Sequence, residues 1–189
     1  YQARRPRRQL AGWLYRALLY LVWIGLVLAL MRPQWLVPHT EVSAPGYDLM
    51  LAVDASLSMD ALDFTVEGRQ KSRMEVVKDV MGRFIDERGG DRIGLIIFGS
   101  RAYVLSPLTI DRTAVHMLLM RVEPKMVGKS TALGDAVALG VKKLRDRPPG
   151  SRVMILVADG DNTAGNFQPL ESAQLARMAG VRIYVIGVG

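Results

Sequence analysis

An acidic side chain and two hydroxyl side chains alternate in the stretch VDASLSM, which covers residues 53–59. They are Asp54, Ser56 and Ser58, and they follow a mainly apolar run, residues 47–53, that is typical of a buried strand. A carboxylate and two hydroxyls that face one point suit a hard divalent cation such as Mg²⁺, Mn²⁺ or Ca²⁺. The same side chains could instead cap the start of a helix, because Asp and Ser accept hydrogen bonds from its first N–H groups.

Two further polar clusters occupy comparable positions. Thr131 opens a helical pattern after Gly-Lys-Ser, and Asp159 directly follows an apolar run. The carboxyl ends of parallel strands meet at one edge of a sheet, where ligands bind. Thr131 as a helix cap and Asp159 as part of an ordinary turn are the alternatives. If the three clusters bind a metal, they would supply five oxygen ligands, some of them through water, and would leave one coordination position open for a carboxylate of another molecule. These candidate ligands are Asp54, Ser56, Ser58, Thr131 and Asp159.

Apolar runs and helical patterns alternate over residues 47–189. The runs lack the polar alternation of half-exposed strands, so they predict a doubly wound α/β fold whose mostly parallel sheet has helices on both faces. The run at 102–105 follows its neighbour too closely for a crossover helix, so we expect an antiparallel edge strand that ends at Pro107. The predicted strands are 47–53, 92–98, 102–105, 152–158 and 181–188, and the predicted helices are 73–88, 111–122 (capped by Asp111), 131–145 and 169–179.

The segment after the first cluster is polar. Residues 60–72 are predicted to form a long loop beside the cation, serving either recognition or solvation alone. Met59 is expected at the exposed rim of the site.

The charge is concentrated at the N-terminal end. Residues 1–35 contain six arginines and no acid, which accounts for most of the net charge of +7. Residues 36–189 hold 19 basic and 18 acidic side chains, so a nucleic-acid-binding face is not expected on the folded part. The chain has no cysteine, which excludes disulfides and thiolate metal sites.

An apolar stretch follows the arginines. Residues 14–31 would rise about 27 Å as a helix, close to the roughly 30 Å thickness of a bilayer core. We therefore predict a basic cytoplasmic flank at 1–12, a transmembrane helix at 13–32, a proline-containing linker at 33–46 and a domain at 47–189. By the positive-inside rule, the domain lies on the far side of the membrane. A signal peptide and a buried soluble helix are the alternatives, but no small-residue cleavage site follows the stretch.

The three polar clusters resemble the metal-ion-dependent adhesion site (MIDAS) of von Willebrand factor type A (VWA) domains. That site combines Asp-x-Ser-x-Ser, a distant Thr and a later Asp-Gly, and the resemblance covers residues 47–189. It implies a Rossmann-like fold in which the hydroxyls bind the metal directly and the aspartates act partly through water. Leu57 departs from the glycine that is frequent there, which could alter the rim without removing a ligand.

The resemblance also implies that the domain is incomplete at its C-terminal end. No counterpart of the family's sixth strand and final helix follows residues 181–188. We therefore expect residues 181–188 to form a sheet edge with exposed apolar surface, and this chain to be less stable than a longer one.

The apolar span, the short Arg32-Pro33-Gln34 motif and the linker resemble the BatA/BatB group of bacterial membrane proteins. That resemblance implies an aerotolerance context, an association with MoxR-type ATPases, and further spans before residue 1 and after residue 189. The expected location is the bacterial inner membrane, with the domain on its periplasmic side.

Enzymatic alternatives lack a complete motif. Residues 128–131 resemble the end of a P-loop, but Glu123 stands where its first glycine belongs. Ser56 has no evident base, because His39 falls in the linker and His116 on a helix. An EF-hand that starts at Asp159 fails at its sixth and twelfth positions.

The sequence therefore predicts a membrane-anchored, non-enzymatic module. It would bind an Asp or Glu of a protein partner through a divalent cation, Mg²⁺ first and Mn²⁺ or Ca²⁺ as alternatives. A metal-independent structural scaffold is the other interpretation that the sequence leaves open.

Overall fold

The computed structural model describes residues 7–30, 46–66 and 68–189, which fall into two compact units, Tyr1–Glu41 and Val42–Gly189. The described part of the first unit is helix α1 (Arg7–Leu30). Its 19 residues Gly12–Leu30 are long and apolar enough to cross a membrane, by length and composition, and none of them is buried. Most of the predicted linker, with His39, and the start of the basic flank lie outside the described residues.

The second unit is built around a five-stranded sheet. The strands run in the spatial order β5-β4-β1-β6-β7, all parallel except β5, which pairs antiparallel with β4 at one edge. The predicted α/β fold with an antiparallel edge strand is confirmed. In chain order the elements are β1 (Asp48–Asp54), a 3₁₀ helix (Leu57–Asp60), β2 (Phe64–Val66), β3 (Arg69–Lys71), α2 (Arg73–Glu87), β4 (Arg92–Phe98), β5 (Ala102–Thr109), α3 (Arg112–Met120), α4 (Leu133–Leu144), β6 (Arg152–Ala158), α5 (Pro169–Met178) and β7 (Arg182–Gly187).

Strand β1 lies at the centre of the core, and all seven of its residues are buried. Leu49, Leu51 and Val53 face the cluster that contains side chains of α2 and α3. Met50 and Ala52 face the other cluster, which contains side chains of α4 and α5. Because both faces of the strand are covered, the sequence shows a continuous apolar run rather than an alternating one.

The edge strand β5 is longer than expected. Predicted to end at Pro107, it continues to Thr109. Proline lacks a backbone N–H and is tolerated on an edge strand or at a bulge. The register between β4 and β5 shifts between Ile93 and Ile96, so the pairing around Pro107 is already irregular.

Two predictions near the first polar cluster were wrong. Residues 60–72 do not form one long loop, because β2 and β3 pair as a small antiparallel hairpin. Met59 is not an exposed rim residue, because the 3₁₀ helix turns its side chain into the core, where it is fully buried. Leu57, in the same turn, is 44% exposed and takes the rim position instead.

Helix α1 starts at Arg7, six residues before the predicted start of the transmembrane helix, and the predicted boundaries of α2 to α5 differ from the observed ones by at most two residues. Asp111 caps α3 as predicted, accepting a hydrogen bond from the Ala114 N–H at 3.0 Å. Helix α4 starts at Leu133 with Ala132 as its N-cap, so Thr131 precedes the helix and does not cap it.

The strand predicted at residues 181–188 lies at the far edge of the sheet, as expected. Among the described strands, β7 pairs only with β6. Tyr184, Val185 and Ile186 are 54%, 67% and 43% exposed, so this edge presents apolar side chains.

Candidate metal centre

Three neighbouring strands bring the polar clusters to one edge of the sheet. Asp54 is the last residue of β1, and Asp159 directly follows β6, which is paired with β1. The loop that contains Thr131 is attached to the end of β4, on the other side of β1, by a hydrogen bond from the Ala132 N–H to the Gly99 carbonyl at 2.7 Å. The carboxyl ends of parallel strands therefore hold the candidate ligands, as the sequence predicted.

Asp54 carries the least satisfied polar atom of the site. The residue is fully buried, and its Oδ1 accepts a hydrogen bond from the Ser56 N–H at 2.8 Å. Its Oδ2 is buried and, among the described residues, has no hydrogen-bond partner. Burial, with a smaller contribution from the charge of Asp159, raises the pKa of Asp54 to about 6 against the opposing hydrogen bonds from Ser56. A carboxylate oxygen in this position is costly unless a positive charge or a donor faces it.

A chain of two hydroxyl groups leads from Ser56, whose N–H is bonded to Asp54, to Asp159. The Ser58 Oγ donates to Asp159 Oδ1 at 2.9 Å, and the Ser56 Oγ lies 2.9 Å from the Ser58 Oγ. Because the Ser58 proton is used toward Asp159, the Ser56 hydroxyl must donate to Ser58, and both hydroxyls keep lone pairs for a ligand. Ser56 is buried whereas Ser58 is exposed, so the chain runs from the core to the surface.

Thr131 is positioned through its backbone. Its carbonyl accepts hydrogen bonds from the N–H groups of Thr163 (2.9 Å) and Ala164 (3.1 Å), and its own N–H donates to the Thr163 Oγ1 at 2.9 Å. The residue is buried, and it is tied to the loop that follows Asp159. Among the described residues, no hydrogen bond joins Thr131 to the other four candidate ligands.

The loop before Thr131 depends on a glycine. Gly128 has a φ of +105°, a left-handed conformation that favours glycine, and a Cβ there would lie 2.2 Å from the Ser100 Oγ. The Ser100 Oγ also accepts a hydrogen bond from the Ser130 N–H at 3.3 Å. In the same loop, the carbonyl of Lys129 accepts a hydrogen bond from the Leu57 N–H at 3.3 Å. These contacts hold the Thr131 loop against both the first cluster and the end of β4.

One residue of the site was missed by sequence reasoning. Arg73 Nη1 donates to Asp159 Oδ2 at 2.9 Å, and its Nε donates to Asp63 Oδ2 at 2.8 Å. The hydrogen bonds from Arg73 lower the pKa of Asp63. The sequence did contain a signal for a special role of Arg73. It is the first residue of α2, where the helix dipole disfavours a cation, so a nearby acidic partner could have been expected.

The donor set fits a hard cation. Among the described residues, no three His, Cys, Asp or Glu side chains form a cluster that could hold a metal. The candidate ligands instead combine two carboxylates with three hydroxyls, all of them oxygen donors. This composition suits Mg²⁺, Mn²⁺ or Ca²⁺ and offers no soft ligand.

The competing motifs lack their structural context. Helix α3 and a turn, not a strand, precede residues 128–131, whereas a P-loop follows a strand. Asp159 follows strand β6, whereas an EF-hand loop follows a helix. His116 lies on α3 with its Nδ1 2.9 Å from Asp86 Oδ1, where it pairs with α2.

A family model agrees with this architecture. The model of the von Willebrand factor type A domain matches residues 48–189. The chain belongs to the VWA family. Its fold is also that of the solved structures that it resembles.

Three solved structures of bacterial proteins are similar to this VWA chain. An aerotolerance-related membrane protein from Bacteroides fragilis is 28% identical with a TM-score of 0.68, covering 76% of this chain and 68% of its own. BatB from Bacteroides thetaiotaomicron is 30% identical with a TM-score of 0.67 (75% and 66% covered). An uncharacterized membrane-spanning protein from Vibrio fischeri is 43% identical with a TM-score of 0.52 (75% and 70%). The resemblance to the BatA/BatB group is confirmed, and these relatives together with α1 indicate a membrane protein.

A curated relative is longer than this chain. An uncharacterized protein of Borreliella burgdorferi is 29% identical over 171 residues, which cover 90% of this chain and 49% of that protein. The VWA chain thus spans about half the length of this relative. A more distant mussel byssus matrix protein, 20% identical with a TM-score of 0.61 (75% and 38% covered), shares the fold and has a zinc-occupied MIDAS motif.

Ser58→Ala tests the outer end of the hydroxyl chain. The substitution removes one neutral oxygen ligand and the hydrogen bond to Asp159, so we expect the affinity for Mg²⁺ to fall by roughly two- to tenfold. Ser58 is exposed, so the unfolding temperature in chelator should change little. Calorimetric titration with Mg²⁺ and thermal unfolding check the two expectations, and unchanged affinity would remove Ser58 from the ligand set.

Proposed function

We propose that this VWA domain holds a divalent cation with Asp54, Ser56, Ser58, Thr131 and Asp159, and that it binds an acidic residue of a protein partner through that cation. The observation that carries the proposal is the buried Asp54 Oδ2, which has no partner among the described residues. The other oxygen of Asp54 is bonded to the N–H of Ser56, the inner residue of the hydroxyl chain. A cation at this point would supply the missing positive partner.

The charges of the site support a divalent ion with an open position. Asp54 and Asp159 provide two negative charges, and the hydroxyls of Ser56, Ser58 and Thr131 add neutral oxygen donors. A cation held mainly by neutral ligands keeps the ability to attract a further carboxylate from outside. The exposure of Ser58 and Leu57 supports access from the surface at this side. We propose Mg²⁺ as the ion, with Mn²⁺ and Ca²⁺ as the alternatives to be measured.

We propose a binding role rather than an enzymatic one. The Ser56 hydroxyl lies beside the Ser58 hydroxyl. The acids bonded to these two serines, Asp54 and Asp159, are themselves candidate metal ligands. The described histidine, His116, is paired with Asp86 on the neighbouring helix. This arrangement supports cation binding better than nucleophilic catalysis, which needs a base within hydrogen-bond reach of the nucleophile.

The membrane context of the proposal rests on α1 and on the relatives. We propose that α1 spans the bacterial inner membrane and that the arginines before it keep that end in the cytoplasm, so the VWA domain lies in the periplasm. A protease added to spheroplasts should then digest residues 47–189. Protection of these residues until the membrane is permeabilised would reverse the orientation. A role with a MoxR-type ATPase in aerotolerance is proposed from the resemblance to the Bat group alone.

Capture of a partner from native membranes tests the function. The full chain, purified in detergent, is immobilised and compared in Mg²⁺ and in chelator, with Asp54→Asn as the variant and Asp161→Asn as the matched control. We expect a partner that is retained by the wild type and by Asp161→Asn only in Mg²⁺, and that is lost with Asp54→Asn. A partner retained equally in chelator and by Asp54→Asn would favour the metal-independent scaffold.

A further inference from the structure

Arg73 lies between two carboxylates at the edge of the candidate metal centre. Its Nη1 donates to Asp159 Oδ2 at 2.9 Å, and its Nε donates to Asp63 Oδ2 at 2.8 Å. Asp159 is itself a candidate ligand, and its other oxygen accepts the hydrogen bond from Ser58. Both oxygens of Asp159 are therefore held by donors of this chain, and one of the two donors carries a full positive charge.

The two partners of Arg73 differ in environment. The Asp159 side chain is 1% exposed, Arg73 is 19% exposed and Asp63 is 41% exposed. Arg73 makes two hydrogen bonds to Asp63, from Nε and Nη2, and one to Asp159. Charge interactions are screened least where water is excluded, so the single contact with Asp159 is the less screened of the two pairings. Asp63 lies on the solvent side of the guanidinium, in the segment between the 3₁₀ helix and β2. The Arg73 N–H also donates to the Ala61 carbonyl at 3.1 Å, which fixes that segment beside the site.

The charge count of this group has a direct consequence for a cation. Asp54 and Asp159 together match a divalent ion, but a positive Arg73 in contact with Asp159 cancels half of that charge. Asp63 returns the missing negative charge, because it forms a neutral pair with Arg73. The structure therefore contains a site of net charge −2 plus a neutral pair that touches one of its ligands.

We infer that Arg73 and Asp63 form a charge pair that sets the cation affinity of the centre, with Arg73 weakening the binding of the ion and Asp63 restoring it. Arg73 is a positioning residue in this account, since it acts on the ion through Asp159. The inference rests on the proposed function, because it presupposes that the centre binds a cation. It also explains how the domain holds Asp159 in place before a cation arrives.

Opposite effects of two substitutions test the pair. Arg73→Gln removes the positive charge beside Asp159, so Mg²⁺ should bind more tightly, by about three- to tenfold near physiological salt. Asp63→Asn leaves Arg73 unbalanced, so Mg²⁺ should bind more weakly by a similar factor. The double variant should return close to the wild-type affinity, because the pair as a whole is neutral. Arg73→Lys keeps the charge and should stay near the wild type.

Stability in chelator gives a second readout. Arg73→Gln leaves the buried Asp159 without its positive partner, so the cation-free domain should unfold at a lower temperature than the wild type. Saturating Mg²⁺ should then raise the unfolding temperature of Arg73→Gln by more than it raises that of the wild type. A residue that only supports the fold would lower stability without increasing the gain from Mg²⁺.

Matched controls separate local charge from net charge. Arg83→Gln makes the same change on the same helix, ten residues or about 15 Å further along. Asp146→Asn removes an acid whose side chain is 83% exposed, just beyond α4. Both controls should leave the affinity of the detergent-purified full chain for Mg²⁺ within twofold of the wild type.

Calorimetric titration of the wild type and the six variants with Mg²⁺ decides the inference. Tighter binding by Arg73→Gln with weaker binding by Asp63→Asn supports the charge pair. Weaker binding by both, or changes equal to those of the controls, overturns it while leaving the metal centre in place. Absence of Mg²⁺ and Mn²⁺ binding by the wild type would instead overturn the proposed function on which it rests.

Discussion

Asp54→Asn is expected to lower the affinity of the domain for Mg²⁺ and Mn²⁺ by on the order of 100-fold or more. The substitution keeps the shape of the side chain and the acceptor for the Ser56 N–H, and it removes the buried negative charge. A full charge next to a divalent ion in a site shielded from water contributes several kcal/mol, which exceeds the effect of any single hydroxyl ligand. Calorimetric titration of the full chain in detergent measures the loss.

The matched control for this prediction is Asp161→Asn. Asp161 lies two residues after Asp159 in the same loop and is exposed, and it is outside the set of candidate ligands. The same loss of charge there should change the affinity by less than about threefold, since exposed charges are screened by solvent and salt. Equal affinities for the wild type and Asp54→Asn would show that Asp54 is not a ligand.

Asp54→Asn should not unfold the protein. Burial raises the pKa of Asp54 to about 6 from an unfolded value of 3.8, so its ionised form opposes folding when no cation is present. This penalty is fully present above pH 6 and disappears as the pH falls to about 3.8. In chelator, the free energy of unfolding of the wild type should therefore rise by roughly 2–3 kcal/mol relative to that of Asp54→Asn as the pH falls through this window. Urea unfolding at several pH values measures the difference.

Asp48→Asn should destabilise the domain by about 2–3 kcal/mol at neutral pH, at the opposite end of β1 from the candidate metal centre. Asp48 is fully buried, and its two oxygens accept hydrogen bonds from Arg92 Nε (2.6 Å), Arg92 Nη2 (2.9 Å) and Ser151 Oγ (2.9 Å). Removing one member of a buried pair leaves its partners unmatched, and the partial exposure of Arg92 reduces the cost somewhat.

The pH dependence of this effect has the opposite sign to that of Asp54. Burial of Asp48 is outweighed by the hydrogen bonds from Arg92 and Ser151, so its pKa lies below the ordinary value of 3.8. The stabilisation is complete above that value and is lost as the pH falls through the lower folded-state pKa. The difference in free energy of unfolding between the wild type and Asp48→Asn should therefore be constant near neutral pH and shrink only below about pH 4.

Far-ultraviolet circular dichroism in urea is the suitable measurement for Asp48→Asn. The three tryptophans are residues 13, 23 and 35, all before the domain, so their fluorescence would not report its unfolding. Asp146→Asn, an exposed acid 3.7 Å from Arg145, is the matched control and should cost less than about 0.5 kcal/mol. Similar losses for Asp48→Asn and Asp146→Asn would contradict a structural role for the buried ion pair.

Much of this architecture was predictable because covered parallel strands leave a clear pattern. The continuous apolar run of β1 follows from burial on both of its faces, and the polar residues after it mark the carboxyl edge of the sheet. The placement of Asp54 and Asp159 on neighbouring strands followed from the same rule. The ligand role of these residues remains a prediction.

Other features depend on contacts that a linear pattern does not encode. Met59 is apolar in a polar stretch, and only the 3₁₀ turn decides that it points into the core while Leu57 points outward. The hairpin of β2 and β3 is short and largely exposed, so it leaves no apolar alternation to recognise. Arg73 joins Asp159 across 86 positions, a pairing that topology alone produces.

The most direct test of the central claim is a diffraction experiment on crystals of the protein grown with Mn²⁺, with data collected at the manganese absorption edge. We expect one anomalous peak in contact with Asp54, Ser56, Ser58, Thr131 and Asp159, directly or through water, with at least one coordination position not filled by this chain. A peak at a different site, or no peak at a concentration of Mn²⁺ that saturates the protein in solution, would contradict the account.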